Sequence, residues 1–259
     1  MKTKPFHRFQ FNSFQLKMIA LASMTIDHIG AVLLAGLLPS QAFLHESQSL
    51  FDLTAIAVEW RGLYCLMLAC RLIGRLAFPL FCFLLVQGFR HSHDLQRYAL
   101  RLGLFALISE PFFDLAVHGR LFDLESQNVF WTLLFGLLLL WLWHSPVAYP
   151  LRLAGLIVLA VLVWWSNCDY DLYGLTLIFL LDRLTPSSSE QSPPTSSQQL
   201  LLGFYLLFQL TACLSVPLIT AYNGERGRKQ GLLFYLYYPL HLAVLVLLRM
   251  IISGRPLIW

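Results

Sequence analysis

Three ionisable residues, Lys17, Asp27 and His28, lie inside the first strongly apolar stretch of this chain, LKMIALASMTIDHIGAVLLAGLL. A charged group at bilayer depth is costly, so ionisable residues within an apolar span indicate a functional site. On a helix, the step from Lys17 to His28 is about three turns, which places both residues on one face roughly 16 Å apart. A histidine beside a carboxylate and in line with a cation predicts proton-transfer chemistry.

Asp27 is expected to face a neighbouring helix, because adjacent helical residues do not face each other. Its candidate partners are Arg71 and Arg75, which share one face at i, i+4 spacing in RLIGRLAFPLF. Two interpretations stay open at this point. The group takes part in the chemistry of His28, or it is a buried structural ion pair.

A basic cluster in GFRHSHDLQRYALR predicts an anion-binding surface. Arg97 and Arg101 are four residues apart on the start of a helix, and Arg90 precedes them. Two guanidinium groups on one face at the membrane surface suit a phosphate or pyrophosphate. The alternative is a solvated anchor that faces lipid headgroups.

Two carboxylates in ISEPFFDLAV, Glu110 and Asp114, are one helical turn apart on the same face. Paired inward carboxylates could hold an amine or a cation, or they could pair with Arg71 or Arg75. Pro111 between them is expected to kink the helix or free a backbone carbonyl.

Four more polar residues are candidates for the same site. His241 lies mid-span in LLFYLYYPLHLAVL, where a hydrogen bond to a neighbouring helix is the alternative to a chemical role. The other three, Asn128, Asp169 and Tyr173, are expected near the outer face of the membrane. Asn128 and Asp169 could each be a helix N-cap instead of a site residue.

Composition places these residues in a membrane protein. Of 259 residues, 58% are hydrophobic and 12% are charged, whereas soluble domains carry about 25% charged residues. The net charge of +4 is spread over several loops and does not indicate nucleic-acid binding. The five cysteines form no CxxC motif and no Cys/His cluster, so no metal site is expected.

Continuous apolar runs predict an all-α, polytopic helical bundle with about eight transmembrane helices in a single integral-membrane domain, 1–259. Segment 39–71 is ambiguous: residues 54–70 form either an interfacial helix or a ninth span. Residues 185–198 predict a flexible polar loop. The Lys/Arg bias favours a cytoplasmic N-terminus. The predicted spans are 16–38, 72–90, 97–117, 128–144, 150–166, 169–184, 199–221 and 231–252.

Six motifs in this order resemble the TraX family of bacterial membrane proteins. They are LKMIALASMTIDHIGAVLL, RLIGRLAFPLFCFLLVQGF, RYALRLGLFALISEPFFDLA, NVFWTLLFGLL, DYDLYGL and LFYLYYPLHL, and they extend over nearly the whole chain. The resemblance implies acetylation of a pilin N-terminus in the inner membrane. More distantly, the chain is similar to transmembrane acyltransferases of the acyltransferase-3 and glucosaminide N-acetyltransferase types.

The wider resemblance implies a donor path and a reacting histidine. Those acyltransferases commonly carry a polar or basic residue before an intramembrane histidine at the spacing of Lys17 and His28, although the O-acyltransferases usually have arginine at the first position. Their cytoplasmic arginine pair is spaced RxxR, whereas Arg97 and Arg101 are spaced RxxxR. YYPLHL is similar to their closing helix.

These implications predict an acetyl-CoA-dependent acyltransferase with His28 and Asp27 as catalytic residues. Lys17, Arg90, Arg97 and Arg101 would bind the donor. The acceptor, a pilin-like protein or an envelope glycan, would meet Arg71, Arg75, Glu110, Asp114, Asn128, Asp169, Tyr173 and His241. Membrane lipids and a second copy of the chain are the other expected partners. The alternatives are a proton-coupled transporter, because intramembrane Asp, Glu and His also form proton relays, and a non-catalytic partner in pilus or envelope assembly.

Overall fold

The computed structural model describes residues 10–43, 51–185, 196–228 and 231–253, and these residues form an all-α bundle, as predicted. A π-helical stretch, Ile29–Leu34, and a last turn, Ala35–Leu37, continue the first helix. A 3-10 segment, Leu207–Leu214, joins the eighth helix to the ninth. The helices are α1 Ser13–His28, α2 Arg61–Gly74, α3 Ala77–His91, α4 Leu95–Val117, α5 Val129–Trp143, α6 Tyr149–Ser166, α7 Asp171–Leu184, α8 Ser196–Leu206, α9 Ser215–Thr220 and α10 Leu233–Ser253.

The first helix begins at a capping box and changes its geometry directly after His28. The Asn12 side chain accepts the Gln15 N–H, and the Gln15 side chain accepts the Asn12 N–H, both at 3.0 Å. These bonds satisfy two backbone donors that have no partner within the helix. The α-helix ends at His28, and the π stretch begins at Ile29. Such π stretches are rare and frequently lie at functional sites.

The second helix runs antiparallel to α1. Asp27 packs on Gly74, whereas Gly30, which follows it in α1, packs on Cys70, which precedes Gly74 in α2. Both glycines are buried, and a Cβ at Gly30 would lie 2.8 Å from the Cβ of Cys70. The backbones of α1 and α2 therefore approach each other closely beside the Asp27–His28 step.

The ambiguous segment of the sequence joins the second predicted span. Residues Val58–His91 form one apolar helical stretch that is interrupted by a turn at Arg75 and Leu76. Both α2 and α3 pack against α1. Residues 58–70 thus belong to a helical stretch that leads into the second predicted span. Whether residues 54–70 lie at the membrane interface or cross as a ninth span stays a prediction.

Four helical stretches are long and apolar enough to cross a membrane: Ser13–Leu37, Val58–His91, Tyr149–Ser166 and Leu233–Ser253. The helices at the other predicted spans are shorter or carry more charge. For example, α4 contains two arginines and two acidic residues, and α7 has 14 residues. The total of eight crossings therefore stays a prediction. Residues 186–195 of the predicted polar loop lie outside the described residues.

The core and the outer surface of the bundle differ in a way that suits a membrane. Buried apolar side chains such as Phe83, Leu137 and Leu177 form a continuous core between helices. At the edge, α6 exposes Trp164 and Trp165 at one end and Tyr149 at the other. Tyrosine and tryptophan are enriched at membrane–water interfaces. This pattern is typical of a lipid-facing helix whose ends lie at the two faces of a bilayer.

Candidate functional site

His28 and His241 form a hydrogen-bonded pair that joins the first and last helices. Nδ1 of His28 at the end of α1 lies 2.9 Å from Nε2 of His241 in α10. The ring centroids are 4.9 Å apart. The sequence indicates each histidine separately, and the structure brings them together across 213 positions of the chain.

The hydrogen bonds of the pair determine which ring nitrogens carry protons. Nδ1 of His241 lies 2.9 Å from the carbonyl oxygen of Tyr237. A carbonyl oxygen only accepts, so Nδ1 of His241 is the protonated nitrogen of the neutral ring. Nε2 of His241 then accepts a hydrogen bond, and Nδ1 of His28 donates it. Nε2 of His28 is left with a free lone pair, which is the form that a general base requires.

Two tyrosines of α10 hold the histidine pair in place. The Tyr237 ring stacks on His241 at 5.2 Å, and its hydroxyl lies 2.6 Å from the Thr25 hydroxyl of α1. Tyr238 meets the edges of both imidazoles, with centroids 5.9 Å from His28 and 5.5 Å from His241. These contacts fix the orientation of the His28 ring from both helices.

Asp27 turns away from His28 and pairs with α2, as its helical position predicts. Its Oδ2 lies 2.5 Å from Nη1 of Arg71, while its Oδ1 is buried with no hydrogen-bond partner. On the same side of α1, the Ser23 hydroxyl donates to the carbonyl of Ile73 at 2.7 Å. The group that orients His28 is therefore His241, and Asp27 belongs to an ion pair between helices.

Asp169 and Arg75 extend the charged group beside Asp27. The Asp169 N–H donates to the carbonyl of Gln127 at 3.0 Å, which ties its loop to the start of α5. Although residue 169 is exposed overall, burial of its carboxyl raises the pKa of Asp169 to about 6. The Asp27 carboxylate acts in the same direction, and Arg71 and Arg75 oppose the shift. Two acids and two guanidinium groups therefore influence one another at this end of the site.

Glu110 forms a second acidic centre with the first turn of α5. Its Oε2 accepts bonds from Nδ2 of Asn128 at 2.6 Å and from Nε1 of Trp131 at 2.8 Å. Asn128 also caps α5 by accepting the Phe130 N–H at 3.0 Å. The cap and the contact with Glu110 are thus both present in one residue. Phe130 packs edge-on against Tyr238 at 5.3 Å, which connects this centre to the histidine pair.

Several site expectations need correction. Glu110 and Asp114 make no ion pair with Arg71 or Arg75 among the described residues; Asp114 instead accepts the Asp123 N–H at 2.9 Å. The reason is that Asp114, a full turn further along α4, meets the loop that follows the helix. Asp169 is not the cap of α7, because the helix begins at Asp171 after Tyr170.

Tyr173 lies in α7 and stacks on Tyr205 with centroids 4.9 Å apart. Its carbonyl accepts the Tyr205 hydroxyl at 2.9 Å, while its own hydroxyl is buried with no partner. The expected contact with an acceptor therefore stays a prediction for this residue.

Three of the predicted donor-binding cations lie near one end of the bundle. Nζ of Lys17 is 4.8 Å above the ring of Phe234 at the start of α10. The Arg101 guanidinium lies 5.9 Å from the ring of Tyr98. Arg97 is largely exposed and pairs with Asp94 at 2.9 Å. These cations can meet an anionic ligand from the surface.

Arg90 does not belong with those cations. Its guanidinium is buried in the bundle, 3.1 Å from Oδ1 of Asp182, and it also donates to the carbonyl of Thr185 at 3.1 Å. Asp182 in turn contacts Nε2 of His144 at 2.9 Å. The assignment of Arg90 to donor binding is therefore wrong, because its donors are already used within the protein.

Aromatic residues link the cationic end to the histidines. Tyr235 stacks on Phe105 at 5.3 Å and on Phe130 at 6.3 Å, and Phe130 contacts Tyr238. Trp131 and Tyr237 are not among the site residues predicted from the sequence. A signal was present for each: Trp131 follows Asn128 by one helical turn, and Tyr237 precedes His241 by one turn.

The chain is similar to known proteins along most of its length. A family model described as "TraX protein" matches residues 13–249. The chain is also similar to a protein named "Probable fimbrial assembly protein FimC, serogroup H1" from Dichelobacter nodosus. The two are 29% identical over 266 residues, which cover 94% of this chain and 98% of the relative. No solved structure matches the chain.

Proposed function

Because this chain belongs to the TraX family, we propose that it is a membrane-embedded acyltransferase that moves an acetyl group from acetyl-CoA to an amine. The observation that carries the proposal is the His28–His241 hydrogen bond of 2.9 Å. With the Tyr237 carbonyl behind it, this bond leaves Nε2 of His28 free as a base. A base held by a second group is the arrangement that activates nucleophiles in many acyl-transfer enzymes.

The reaction follows from the protonation state of the pair. The neutral amine of the acceptor attacks the thioester carbonyl carbon, a C–N bond forms, and Nε2 of His28 takes a proton from the amine. The C–S bond breaks, and the departing CoA sulfur receives that proton from His28. While His28 is positively charged, its Nδ1–H bond to His241 becomes charge-assisted and therefore stronger. The products are the acetylated amine and CoA with a free thiol.

The donor would enter from the end that carries Lys17, Arg97 and Arg101. Arginine on an exposed helix face binds phosphate well, because its planar fork presents several donors. The helical rise from Lys17 to His28, about 16 Å, suits a long and thin pantetheine arm. With the N-terminus in the cytoplasm and the protein in the inner membrane, this end faces the cellular acetyl-CoA.

The acceptor would meet Glu110 and Asp169, which contact neighbouring residues at the start of α5: Oε2 of Glu110 accepts from Asn128 at 2.6 Å, and the Asp169 N–H donates to the carbonyl of Gln127 at 3.0 Å. Two carboxylates suit a peptide N-terminus that arrives as an ammonium group. One of the carboxylates or solvent would take the first proton, so that the neutral amine attacks and His28 takes the second. The relative's name concerns fimbrial assembly. We therefore propose a pilin-like subunit as the acceptor.

The proposal is tested by replacing the base and a matched histidine. Purified His28→Ala should lose about 10²–10⁴-fold in acetyl transfer or acetyl-CoA hydrolysis, which is the usual contribution of a general base. His93, an exposed histidine after α3, supplies the control, and His93→Ala should keep wild-type turnover. Wild-type turnover in His28→Ala would show that the mechanism is wrong.

A second test addresses the donor site. Replacing both Arg97 and Arg101 with alanine should raise the apparent KM for acetyl-CoA, with a smaller effect on kcat. Arg120, an exposed arginine in the loop after α4, is the control. An unchanged KM in the double variant would assign this pair to lipid headgroups.

A non-catalytic role in pilus or fimbrial assembly is a second candidate, and the name of the relative favours it. The two candidates differ in one measurable result. Acetyl-CoA should raise the melting temperature of the purified protein in both cases if the donor site exists. Turnover on a pilin-like N-terminus supports the enzyme, whereas donor binding without turnover on any acceptor supports the assembly partner.

A further inference from the structure

The loop between α4 and α5 brings together three side chains that the proposed reaction does not use. His118, Asp123 and Glu125 each offer one ligand atom, and these atoms all lie within 4.8 Å of one another. Two atoms bound to one metal ion at 2.0–2.4 Å can be separated by at most about twice that bond length. The spacing therefore fits a single cation between the three groups.

Asp114 supplies an independent observation beneath this loop. The residue is 0% exposed, and its Oδ2 accepts the N–H of Asp123 at 2.9 Å. Its Oδ1 is also buried and has no hydrogen-bond partner. A buried carboxylate oxygen without a partner carries a desolvation cost that a bound cation would offset. The unpartnered oxygen belongs to a carboxylate that is held directly against one of the three ligand residues.

We propose that His118, Asp123 and Glu125 bind one divalent first-row transition-metal ion such as Zn²⁺ or Mn²⁺, and that the buried Asp114 carboxylate holds the backbone of Asp123 in place for it. The ligand set decides the class of ion. Imidazole nitrogen suits transition metals, whereas Ca²⁺ and Mg²⁺ prefer sites made of oxygen ligands. Nε2 of His118 lies 2.8 Å from the Ser126 hydroxyl, and metal-binding histidines commonly make such a bond with their second nitrogen. This bond leaves Nδ1 for the ion.

The ion would order the loop that leads into the acceptor end of the site. Gln127 follows this group and pairs through its backbone with Asn167 and Asp169 at 3.1 and 3.0 Å. Asn128, the next residue, contacts Glu110. A cation at this loop therefore stabilises the segment that positions both acidic residues, whether or not the chain is an acyltransferase.

The test measures metal binding directly and does not depend on activity. Protein in detergent is stripped with EDTA, dialysed separately against ZnCl₂, MnCl₂, CaCl₂ or MgCl₂, and analysed for bound metal and melting temperature. The wild type should retain about one Zn²⁺ or Mn²⁺ per chain and melt at a higher temperature with the ion. His118→Ala combined with Asp123→Asn should lose both effects. Glu225→Gln, in the exposed loop before α10, is the matched acidic control and should retain both.

A milder variant keeps the proposal testable if the double variant does not fold. Ser126→Ala removes only the hydrogen bond behind His118 and should weaken metal binding about 10–100-fold. Three results would overturn the proposal: no retained transition metal in the wild type, equal retention in the double variant, or affinity unchanged by Ser126→Ala together with a preference for Ca²⁺. The last result would show that histidine is not a ligand.

Discussion

Replacing Gly74 with alanine should push α1 and α2 apart, because the added methyl group has no space between these two helices. A Cβ at Gly74 would lie well inside 3.0 Å of Cβ, Cγ and Oδ1 of Asp27, a separation that real Cβ atoms essentially never show. Ordinary van der Waals contact begins at 3.4 Å. In Gly74→Ala, α1 and α2 must therefore part by about 1 Å, because the obstacle is the stem of Asp27 and not the end of a flexible chain.

Two consequences can be given magnitudes. Overpacking of this kind typically costs about 1–3 kcal/mol in the free energy of unfolding. Misplacement of a reacting group by about 1 Å can cost on the order of 10²-fold in rate. Because Asp27 precedes His28 directly, we expect Gly74→Ala to lower both the melting temperature and the rate of acetyl transfer.

Gly62 provides the matched control in the same helix. No heavy atom lies within 4 Å of a Cβ built at Gly62. Gly62→Ala should stabilise the protein by about 0.5–1 kcal/mol, because alanine loses less conformational freedom than glycine in a helix. Both variants are compared by thermal unfolding in detergent and by turnover of acetyl-CoA. If Gly74→Ala proved as stable and as active as Gly62→Ala, the close approach of α1 and α2 would not exist as described.

Three further predictions concern other parts of the site. His241→Phe should lower kcat about tenfold with an unchanged KM for acetyl-CoA, because one hydrogen bond of about 0.5–1.5 kcal/mol holds the His28 ring. Arg90→Met should lower the unfolding free energy by about 3–5 kcal/mol in thermal unfolding, because it leaves Asp182 buried without its cation. For Asp169, a folded-state pKa of about 6 against an ordinary value of 3.8 means that stability falls as pH rises through this window. Asp169→Asn should therefore gain most in melting temperature, relative to the wild type, above pH 6.

Each of these predictions has a result that would contradict it. Wild-type kcat in His241→Phe would remove His241 from the mechanism. For the buried ion pair, Arg183→Met is the exposed control on α7, and equal losses in the two variants would contradict a special role for Arg90. For Asp169, a difference from Asp169→Asn that is the same at pH 4 and pH 7.5 would contradict the raised pKa.

The sequence predicts the helices well because their apolar runs are long and continuous. It also predicts that Asp27 turns away from His28, since the angle between adjacent helical residues follows from helix geometry alone. Of the two predicted partners, Arg71 and Arg75, the structure shows the ion pair with Arg71. The interrupted helix from Val58 to His91 could not be predicted in the same way. Its first half carries charges that suit an interfacial helix, and only packing against α1 shows where it lies.

The partners of the site residues depend on contacts that no periodicity encodes. The hydrogen bond between His28 and His241 joins helices near the two ends of the chain. Because 213 positions separate the two residues, no local sequence pattern indicates that they meet. Arg90 presents the opposite case. Its place among arginines suggests a surface cluster, yet the helix face that it occupies turns it toward Asp182 on α7. On a helix, a shift of one residue along the sequence changes whether a side chain faces lipid, solvent or the protein core.

The π-helical stretch behind His28 gives the first helix a place where length can change without loss of alignment. A π turn holds about one residue more than an α turn, so deletion of one residue within Ile29–Leu34 would let the chain close as an uninterrupted α-helix. The faces before and after the stretch would keep their directions. Deletion of one residue before His28 would instead rotate the imidazole by about 100° relative to the helix start. Relatives of this chain should therefore vary in length on one side of the histidine and not on the other.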